Sequence, residues 1–466
     1  IVFFISKENF LLLSIPLLLS VLYLSIFNFK HLFFVIVFLT PLSMSLMDLG
    51  ISVADTEMAF PTEPLLFGLM LLTIFKIVYH FRLFQKVVKH PITTIILLYI
   101  FWMIVTSVTS SMPFVSFKVV LSRLWYVIPI LFMGHFVFKN HKNISYFFII
   151  YAVPLAGVIL YTSLRHSFYF FDKASAHYMM SPFFNDHTSY GALIAFFIPL
   201  LFYEFINKKA GSFMKYFLLV VLLVFILGFI LSFSRAAWIS LFLAMIFMLI
   251  LKLKINIRWI ITSAFSLLLL LFLFQEPIIN KLSENRQDSS DNLIEHVTSL
   301  SNISTDASNM ERINRWKCAI AMFVERPFFG WGPGTYQFQY APFQVGSDRT
   351  IISSNSGDAG NAHSEYLGPL AESGFLGLLT FLILVIVVMI KAINMYYSPR
   401  HHKIKGLLLA IITALMSYFI HGLFNNFLDT DKASVPVWGV VTILITIDLY
   451  QSKNKSSNHH FADNFS

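Results

Sequence analysis

Long apolar runs, each close to the length of a membrane-spanning helix, are the feature of this sequence that most limits its possible folds. A helix crosses the hydrocarbon core of a bilayer with about 20 apolar residues. A soluble domain carries about 25% charged residues, whereas this chain has 12% and is 57% hydrophobic. We therefore predict an all-α integral membrane protein with about 12–13 transmembrane helices. The runs are Phe10–Phe27, His31–Met47, Leu65–Tyr79, Ile92–Thr109, Val119–Phe138, Ile144–Thr162, Thr188–Phe205, Tyr216–Phe233, Ala236–Leu251, Trp259–Phe274, Tyr366–Ile390, Gly406–Leu423 and Val435–Tyr450.

The basic residues fall in alternate connections between these runs. Cytoplasmic loops of membrane proteins carry the excess of Lys and Arg, whereas connections 48–64 and 110–117 contain neither. We therefore predict a cytoplasmic C-terminal tail, with the connections that lack basic residues on the outer side. The basic groups are Lys76, Arg82, Lys86 and Lys89; Lys139 and Lys142; Lys208, Lys209 and Lys215; Lys252, Lys254 and Arg258; Arg400, Lys403 and Lys405; and Lys453 and Lys455.

One outer connection is far longer than the others. The chain divides into N-terminal transmembrane helices (1–274), this large loop (275–363), C-terminal transmembrane helices (364–450) and a tail (451–466). Loops of such length are usually either functional or disordered. Residues 288–308 are rich in Ser, Asn and Asp and are typical of a disordered spacer. The remainder of the loop is predicted to be structured.

The structured part of the loop is predicted to begin with a short amphipathic helix. Ser308 and Glu311 form a capping-box pattern, and Pro327 ends the helix at Arg326. Arg312 and Arg315 are three residues apart and are expected to share the polar face. The apolar face is expected to consist of Met310, Ile313, Trp316, Ile320 and Phe323.

A glycine-rich stretch, residues 327–334, follows this helix. Its glycines permit tight turns and close approach of another surface. One interpretation is a phosphate-binding loop, although the lysine and the helix start of a P-loop are missing. The other is a structural turn that docks its aromatic residues at the membrane interface. The sequence leaves both open.

Several classes of function are excluded by composition. The single cysteine, Cys318, excludes an internal disulfide and a cysteine metal cluster. Asp348 and Asp358 are isolated acids, so no metal site is predicted. The net charge of +9 is spread over the alternate connections rather than concentrated on one accessible surface. Nucleic acid is therefore not predicted as a partner.

Three short motifs resemble a known family. Residues 361–367, Asn-Ala-His-Ser-Glu-Tyr-Leu, lead into an apolar run that carries Glu372-Ser373-Gly374 in its early turns. Residues 326–334 read Arg-Pro-Phe-Phe-Gly-Trp-Gly-Pro-Gly, and residues 234–236 read Ser-Arg-Ala. Their order resembles the O-antigen ligase and O-antigen polymerase family of bacterial membrane proteins. The resemblance covers about residues 178 to 424.

The resemblance implies a metal-independent glycosyltransferase of the bacterial inner membrane, without a cofactor, whose site faces the periplasm. Its donor would be a glycan linked to polyprenyl diphosphate. Its acceptor would be lipid A core in a ligase or a second lipid-linked glycan in a polymerase. Two other classes remain open: a transporter or flippase for lipid-linked sugars, and a scaffold for polysaccharide assembly. The chain shows no internal repeat typical of transporters.

The resemblance also implies roles for individual residues. His363 would take the proton from the acceptor hydroxyl, because a neutral imidazole can act as a base near neutral pH; otherwise it is a surface histidine. Arg235 would grip the diphosphate through its planar guanidinium, or it only extends toward lipid headgroups. Arg312 or Arg315 would add a second positive charge, and the other would be solvated.

Four further residues are candidates for supporting roles. Glu365 and Glu372 are seven apart and are expected on one helix face, where Glu372 either orients His363, holds an arginine or packs helices. His187 follows Asn185 and Asp186, which are expected to cap a helix, and it is a candidate for the sugar site. Arg123 lies in an apolar run and is expected to be buried or to face a cavity.

Overall fold

The computed structural model describes residues 23–24, 27–48, 58–255, 311–345 and 360–451, and these are almost entirely helical. Two-residue strands β1 (Met44–Ser45) and β2 (Ala59–Phe60) form one antiparallel pair. The helices are α1 (Phe29–Leu39), α2 (Thr62–Tyr79), α3 (Phe81–Val88), α4 (Pro91–Val108), α5 (Pro113–Phe138), α6 (Lys142–Ser167), α7 (His187–Asn207), α8 (Phe213–Leu231), α9 (Arg235–Lys252), α10 (311–325), α11 (Tyr336–Gln339), α12 (Leu367–Tyr397), α13 (Lys405–His421) and α14 (Asp431–Gln451). Short 3₁₀ turns are Thr40–Leu42, Ser175–His177, Ala341–Phe343 and Pro399–Ile404.

Ten helices in the described part of the chain are long and apolar enough to cross a membrane, which confirms the predicted fold class. They are α2, α4 to α9, α12, α13 with its preceding turn, and α14. The predicted span Trp259–Phe274, and all of Phe10–Phe27 except Tyr23, Leu24 and Phe27, lie outside the described residues. The predicted span His31–Met47 is wrong in its extent: the apolar helix there covers only Phe29–Leu42. It ends early because Ser43 turns to donate a hydrogen bond to Asp431 Oδ2 (2.6 Å).

The last helix, α14, lies at the centre of the bundle. It is the most buried of the ten spans and packs along α5. Helix α13 packs against both α7 and α9, and α12 packs along α4. Large apolar side chains remain exposed around the outside of the bundle. A membrane protein has this distribution because lipid, rather than water, solvates its surface.

Helix α10 exposes a different face from the predicted one. Cys318 and Met322 are fully buried and pack against Tyr336 and Tyr340, whereas Ile313 is 47% exposed. The buried face of α10 is therefore the face of Cys318, Ala319 and Met322, and not the predicted apolar face that contains Ile313 and Ile320. The predicted cap residue, Ser308, lies outside the described residues.

Helix α12 is broken in its second turn at Gly374, which has φ 69° and ψ −166°. The glycine-rich stretch, residues 327–334, docks onto the backbone groups that this break frees. Trp331 N donates to Ala371 O (3.1 Å), Gly332 N donates to Glu372 O (2.7 Å), and Phe375 N donates to Pro327 O (2.9 Å). Non-helical backbone at membrane depth is tolerated where protein buries it and satisfies its hydrogen bonds.

These bonds decide between the two interpretations of the glycine-rich stretch. The amides of Trp331 and Gly332 bind the broken turn of α12, and Gly330 N donates to Arg326 O (3.1 Å). Those amides are not available to a phosphate. Trp102 also stacks on Phe329, with ring centroids 5.8 Å apart. The stretch is therefore a structural clamp between the large loop and the membrane helices.

Glycine at position 330 is required by this clamp. Gly330 has φ 67°, and a Cβ atom there would lie 2.4 Å from the backbone C and O of Glu372. We expect Gly330→Ala to cost at least about 1–3 kcal/mol, from strain at positive φ and the backbone clash. Thermal unfolding of the purified protein in detergent measures this loss. Gly368→Ala is the matched control, because nothing lies within 4 Å of its added methyl group. Equal unfolding midpoints for the two variants would contradict the clamp.

Candidate functional site

Asp186 and four basic residues are linked by electrostatic interactions, and three of these basic residues lie at or just before helix starts. Helix α7 begins at His187 and α9 at Arg235, while His363 lies four residues before the start of α12. Arg312 interacts electrostatically with Asp186 and with Arg235. His363 interacts electrostatically with Arg312 and with Asp186. We call His187, Arg235, Arg312 and His363 the basic cluster. Helix N-termini carry partial positive charge, so this arrangement favours an anion.

Side-chain caps fix the first residues of two of these helices. Asp186 Oδ1 accepts hydrogen bonds from Thr188 N (2.7 Å) and Ser189 N (2.6 Å), so the predicted cap is confirmed. Ser234 Oγ accepts a hydrogen bond from Ala237 N (3.3 Å) and sets Arg235 at the first residue of α9. The Ser-Arg-Ala motif therefore encodes a helix start that presents an exposed arginine.

His363 is held in a strained backbone conformation. Its φ of 47° is unusual for a residue with a side chain. Asn361 Oδ1 accepts a hydrogen bond from His363 N (2.9 Å), and Trp316 Nε1 donates one to His363 O (3.3 Å). Such strain costs of order 1–3 kcal/mol and persists where the surroundings enforce it, often at functional sites.

The surroundings of His363 keep its imidazole neutral. Burial lowers the pKa of His363 to about 4, and the guanidinium groups of Arg315 and Arg312 contribute to this decrease. The carboxylates of Asp186 and Glu311 act in the opposite direction. At neutral pH the ring is therefore unprotonated and can accept a proton.

The two loop arginines have different surroundings, which corrects the prediction that they share a polar face. Arg315 is 4% exposed, donates from Nε to Glu311 Oε1 (2.8 Å) and lies 4.8 Å from the ring centroid of Tyr340. It also donates from Nη1 to Asn361 O (3.3 Å), in the segment that carries His363. Arg312 lies instead beside Asp186 and Arg235, and burial lowers its pKa. Arg315 therefore positions the loop, while Arg312 belongs to the basic cluster.

Glu365 and Glu372 do not share a helix face, because α12 begins only at Leu367. Glu365 Oε1 accepts hydrogen bonds from Tyr418 Oη (2.8 Å) and from the amides of Phe427 (2.7 Å) and Leu428 (2.8 Å). Glu372 Oε1 accepts one from Tyr336 N (3.1 Å). Glu365 therefore fixes the connection before α14, and Glu372 reinforces the clamp.

Arg123 faces polar groups within the protein, as predicted for a charge in an apolar run. Its Nη1 donates to Leu428 O (2.5 Å). Burial raises the pKa of Glu365 and of Asp429, and the guanidinium of Arg123 partly offsets both increases. Arg123 thus places a positive charge near two carboxyl groups that line the same cavity.

A cavity of about 660 Å³ adjoins the basic cluster. Asp186 lines it, as do Ala362 and Ser364 on either side of His363. Its charged lining is mostly acidic, so we call it the acidic cavity. The acids are Asp48, Glu63, Asp186, Glu365, Glu372, Asp429 and Asp431, and the bases are Arg123 and Lys432.

Sequence reasoning missed one part of this cavity. Asp431 accepts hydrogen bonds from Ser43 and Thr62, and Lys432 Nζ donates to Ser43 Oγ (2.7 Å). The sequence does contain a signal for this part of the cavity, because residues 429–432, Asp-Thr-Asp-Lys, place three charges in a connection between two apolar runs. The prediction of the site concentrated on the large loop, whereas Asp431 and Lys432 follow the connection between α13 and α14.

The comparisons with known proteins agree with the motifs. Residues 217–382 match the family model described as O-antigen ligase, just over a third of the chain. The matched region contains Arg235, the described part of the large loop, His363 and the broken turn of α12. No curated protein matches the chain. The match supports the resemblance found in the three motifs, and residues 217–382 are similar to the O-antigen ligase family.

Proposed function

We propose that this protein is a membrane glycosyltransferase of the ligase type, which moves a glycan from a polyprenyl-diphosphate carrier to an acceptor hydroxyl. The observation that carries the proposal is the basic cluster, in which the charge of Arg312 interacts with Arg235 and with His363 beside the acidic cavity. An anionic donor suits the cluster, and a glycan rich in hydroxyl groups suits a cavity lined by carboxylates.

The donor diphosphate would lie at the helix starts. Arg235 is exposed at the first residue of α9 and can present its fork of N–H donors to phosphate oxygens. Arg312 would bind the same group from the loop side. Both charges and the helix dipoles stabilise the diphosphate more strongly as it becomes a leaving group, because its negative charge then increases.

The chemical step is a single displacement. The acceptor oxygen forms a bond to the anomeric carbon, while the bond from that carbon to the diphosphate oxygen breaks. The electron pair of the broken bond leaves with the polyprenyl diphosphate. His363 takes the proton of the acceptor hydroxyl, and direct attack inverts the anomeric configuration. The structural roles of Arg315 and Asn361 are to hold His363 at this point.

Donor binding is expected to activate the base. The negative diphosphate offsets the field of the guanidinium groups, so the pKa of His363 rises from about 4 in the free enzyme. His363 acts only when neutral, so activity falls as the pH drops below its pKa. We therefore expect the acid limb of kcat to lie at higher pH than that of kcat/KM. Rate profiles that extend from neutral pH to below the pKa of the free enzyme, about 4, test this, and coincident limbs would contradict it.

The proposed location is the bacterial inner membrane, with the basic cluster facing the periplasm and the C-terminal tail in the cytoplasm. The alternate basic connections support this orientation. Labelling by a membrane-impermeant thiol reagent tests it, with one cysteine introduced at Lys173 and another at Lys209, both in connections. Only the Lys173→Cys variant should react in cells with an intact inner membrane. Buried Cys318 provides the background.

The acceptor distinguishes ligase from polymerase. We propose lipid A core as the acceptor, and a second lipid-linked glycan is the alternative within the family. Purified protein is incubated with a lipid-linked repeat unit and either acceptor. A glycan attached to lipid A core supports the ligase, whereas longer glycans on the lipid carrier support the polymerase.

We also propose that transfer needs no metal ion. In the part of the chain that the structure describes, no group of three or more His, Cys, Asp or Glu side chains is arranged to hold one. Arg235 and Arg312 would supply the positive charge that magnesium provides in many diphosphate enzymes. Transfer should continue in excess chelator, and activity that is lost and then restored by one divalent ion would overturn this assignment.

A further inference from the structure

A second polar cavity, of about 170 Å³, lies at the other end of the bundle. It is lined by Lys391, Asn394 and Ser398 from the end of α12, by Arg400 and His401 from the following turn, and by Asp448 of α14. Glu372, which lines the acidic cavity, is 19 residues from Lys391 in the same helix. At 1.5 Å per residue the two cavities are about 28 Å apart along the helix. The second cavity is therefore separate from the proposed active site.

His401 shows that this cavity is built for a polar ligand. The residue is 6% exposed, yet neither ring nitrogen has a hydrogen-bond partner among the described residues. Leaving a buried polar group without a hydrogen bond is destabilising. A ligand in the cavity that accepts a hydrogen bond from His401 would remove this cost.

The charges around His401 favour an anion. Asp448 is already paired, with His90 Nε2 at 3.1 Å and Lys391 Nζ at 3.3 Å from its Oδ2. Arg400 is exposed at the rim. The positive charge of Lys391 offsets the negative charge of Asp448. The guanidinium of Arg400 therefore gives the lining a net positive charge even when His401 is neutral. The hydroxyl of Ser398 and the amide of Asn394 are further donors for phosphate oxygens.

We propose that this cavity binds a phosphate group, supplied by the headgroup of an anionic phospholipid. Basic pockets between transmembrane helices are the sites at which anionic headgroups bind. The cavity opens at the end of the bundle that carries the basic connections, where such lipids are attracted. Free phosphate shares this chemistry and is the other possible source.

Thermal unfolding of the full chain in neutral detergent tests the proposal. Short-chain phosphatidylglycerol should raise the unfolding midpoint at lower concentration than short-chain phosphatidylcholine does. Arg400→Gln/His401→Gln should weaken this effect by about tenfold or more, the loss of one or two charge-assisted hydrogen bonds. Inorganic phosphate that stabilises with the same dependence on these residues identifies free phosphate as the source.

The matched control is His80→Gln/Arg82→Gln, which removes the same two residue types from an exposed connection at the same end of the bundle. It should change the lipid concentration needed by less than about twofold. Equal losses in the two double variants, or equal stabilisation by the two lipids, would overturn the proposal. Arg400→Gln alone, whose side chain is exposed, should retain the fold and still bind phosphatidylglycerol more weakly in native mass spectrometry.

Discussion

Replacing His363 by asparagine is expected to lower glycan transfer by about 10²–10⁴-fold, the usual contribution of a general base. Asparagine tolerates the left-handed backbone that His363 adopts at φ 47°, but it cannot take a proton at neutral pH. The variant therefore separates the chemistry from the strain. Transfer is measured with purified protein, lipid-linked glycan and acceptor.

Two comparisons make this result specific. His363→Ala should be equally inactive but less stable, because alanine adopts positive φ less readily than asparagine. His402→Asn changes an exposed histidine after α12, far from the basic cluster, and should leave transfer unchanged. Full transfer by the His363→Asn variant would show that His363 is not the base. The basic cluster would then account only for binding of the donor.

Arg312 and Arg315 are expected to respond to substitution in different ways. Arg312→Gln should reduce kcat by about 10²–10³-fold with little change in stability, since the charge it removes acts on the leaving diphosphate. Arg315→Gln should instead lower stability by about 3–5 kcal/mol, because it removes the ion pair between Arg315 and the buried carboxylate of Glu311. Activity and thermal unfolding are measured on both variants.

A second substitution tests the structural role of Arg315. Glu311→Leu/Arg315→Met replaces the buried pair with apolar side chains of similar size, and it should recover most of the stability lost in Arg315→Gln. Arg312→Lys keeps the charge without the planar fork and should fall between wild type and Arg312→Gln. If Arg315→Gln retained wild-type stability while losing all transfer, the assignment of the two arginines would be reversed.

The spanning helices could be predicted because lipid imposes a single rule on them. Every segment that crosses the core needs about 20 apolar residues in helical form, and ten predicted runs form such helices. The cap at Asp186 could be predicted for a similar reason, since capping is local. Three short motifs then sufficed to identify the family region.

The sequence did not allow us to predict which face of the loop helix α10 is buried. The rule that large apolar residues mark the buried face assumes that water lies on the other side. Ile313 and Ile320 are about half exposed on a protein whose surroundings are partly lipid, and Cys318 with Ala319 forms the close contact. The separate roles of Arg312 and Arg315 were hidden for the same reason, because they depend on which face of α10 is buried.

The acidic cavity and the clamp depend on contacts between distant segments. Glu365 was expected to lie on a helix with Glu372, but its hydrogen bonds go to residues 418–428. Gly374 reads as an ordinary small residue within an apolar run, and only the docked stretch 327–334 shows why the helix stops there. No local pattern encodes a pairing across some forty residues.

The interruption of α12 at Gly374 also determines where a junction can be placed in a chimeric protein. The turn before the glycine shares its hydrogen bonds with the loop rather than with the remainder of the helix. A chimera that exchanges the loop between two relatives should therefore extend through Phe375, instead of ending at the first residue of the helix. A junction at Leu367 would combine a foreign loop with the original turn. The amides of that loop would then lack their matched carbonyl acceptors in the turn.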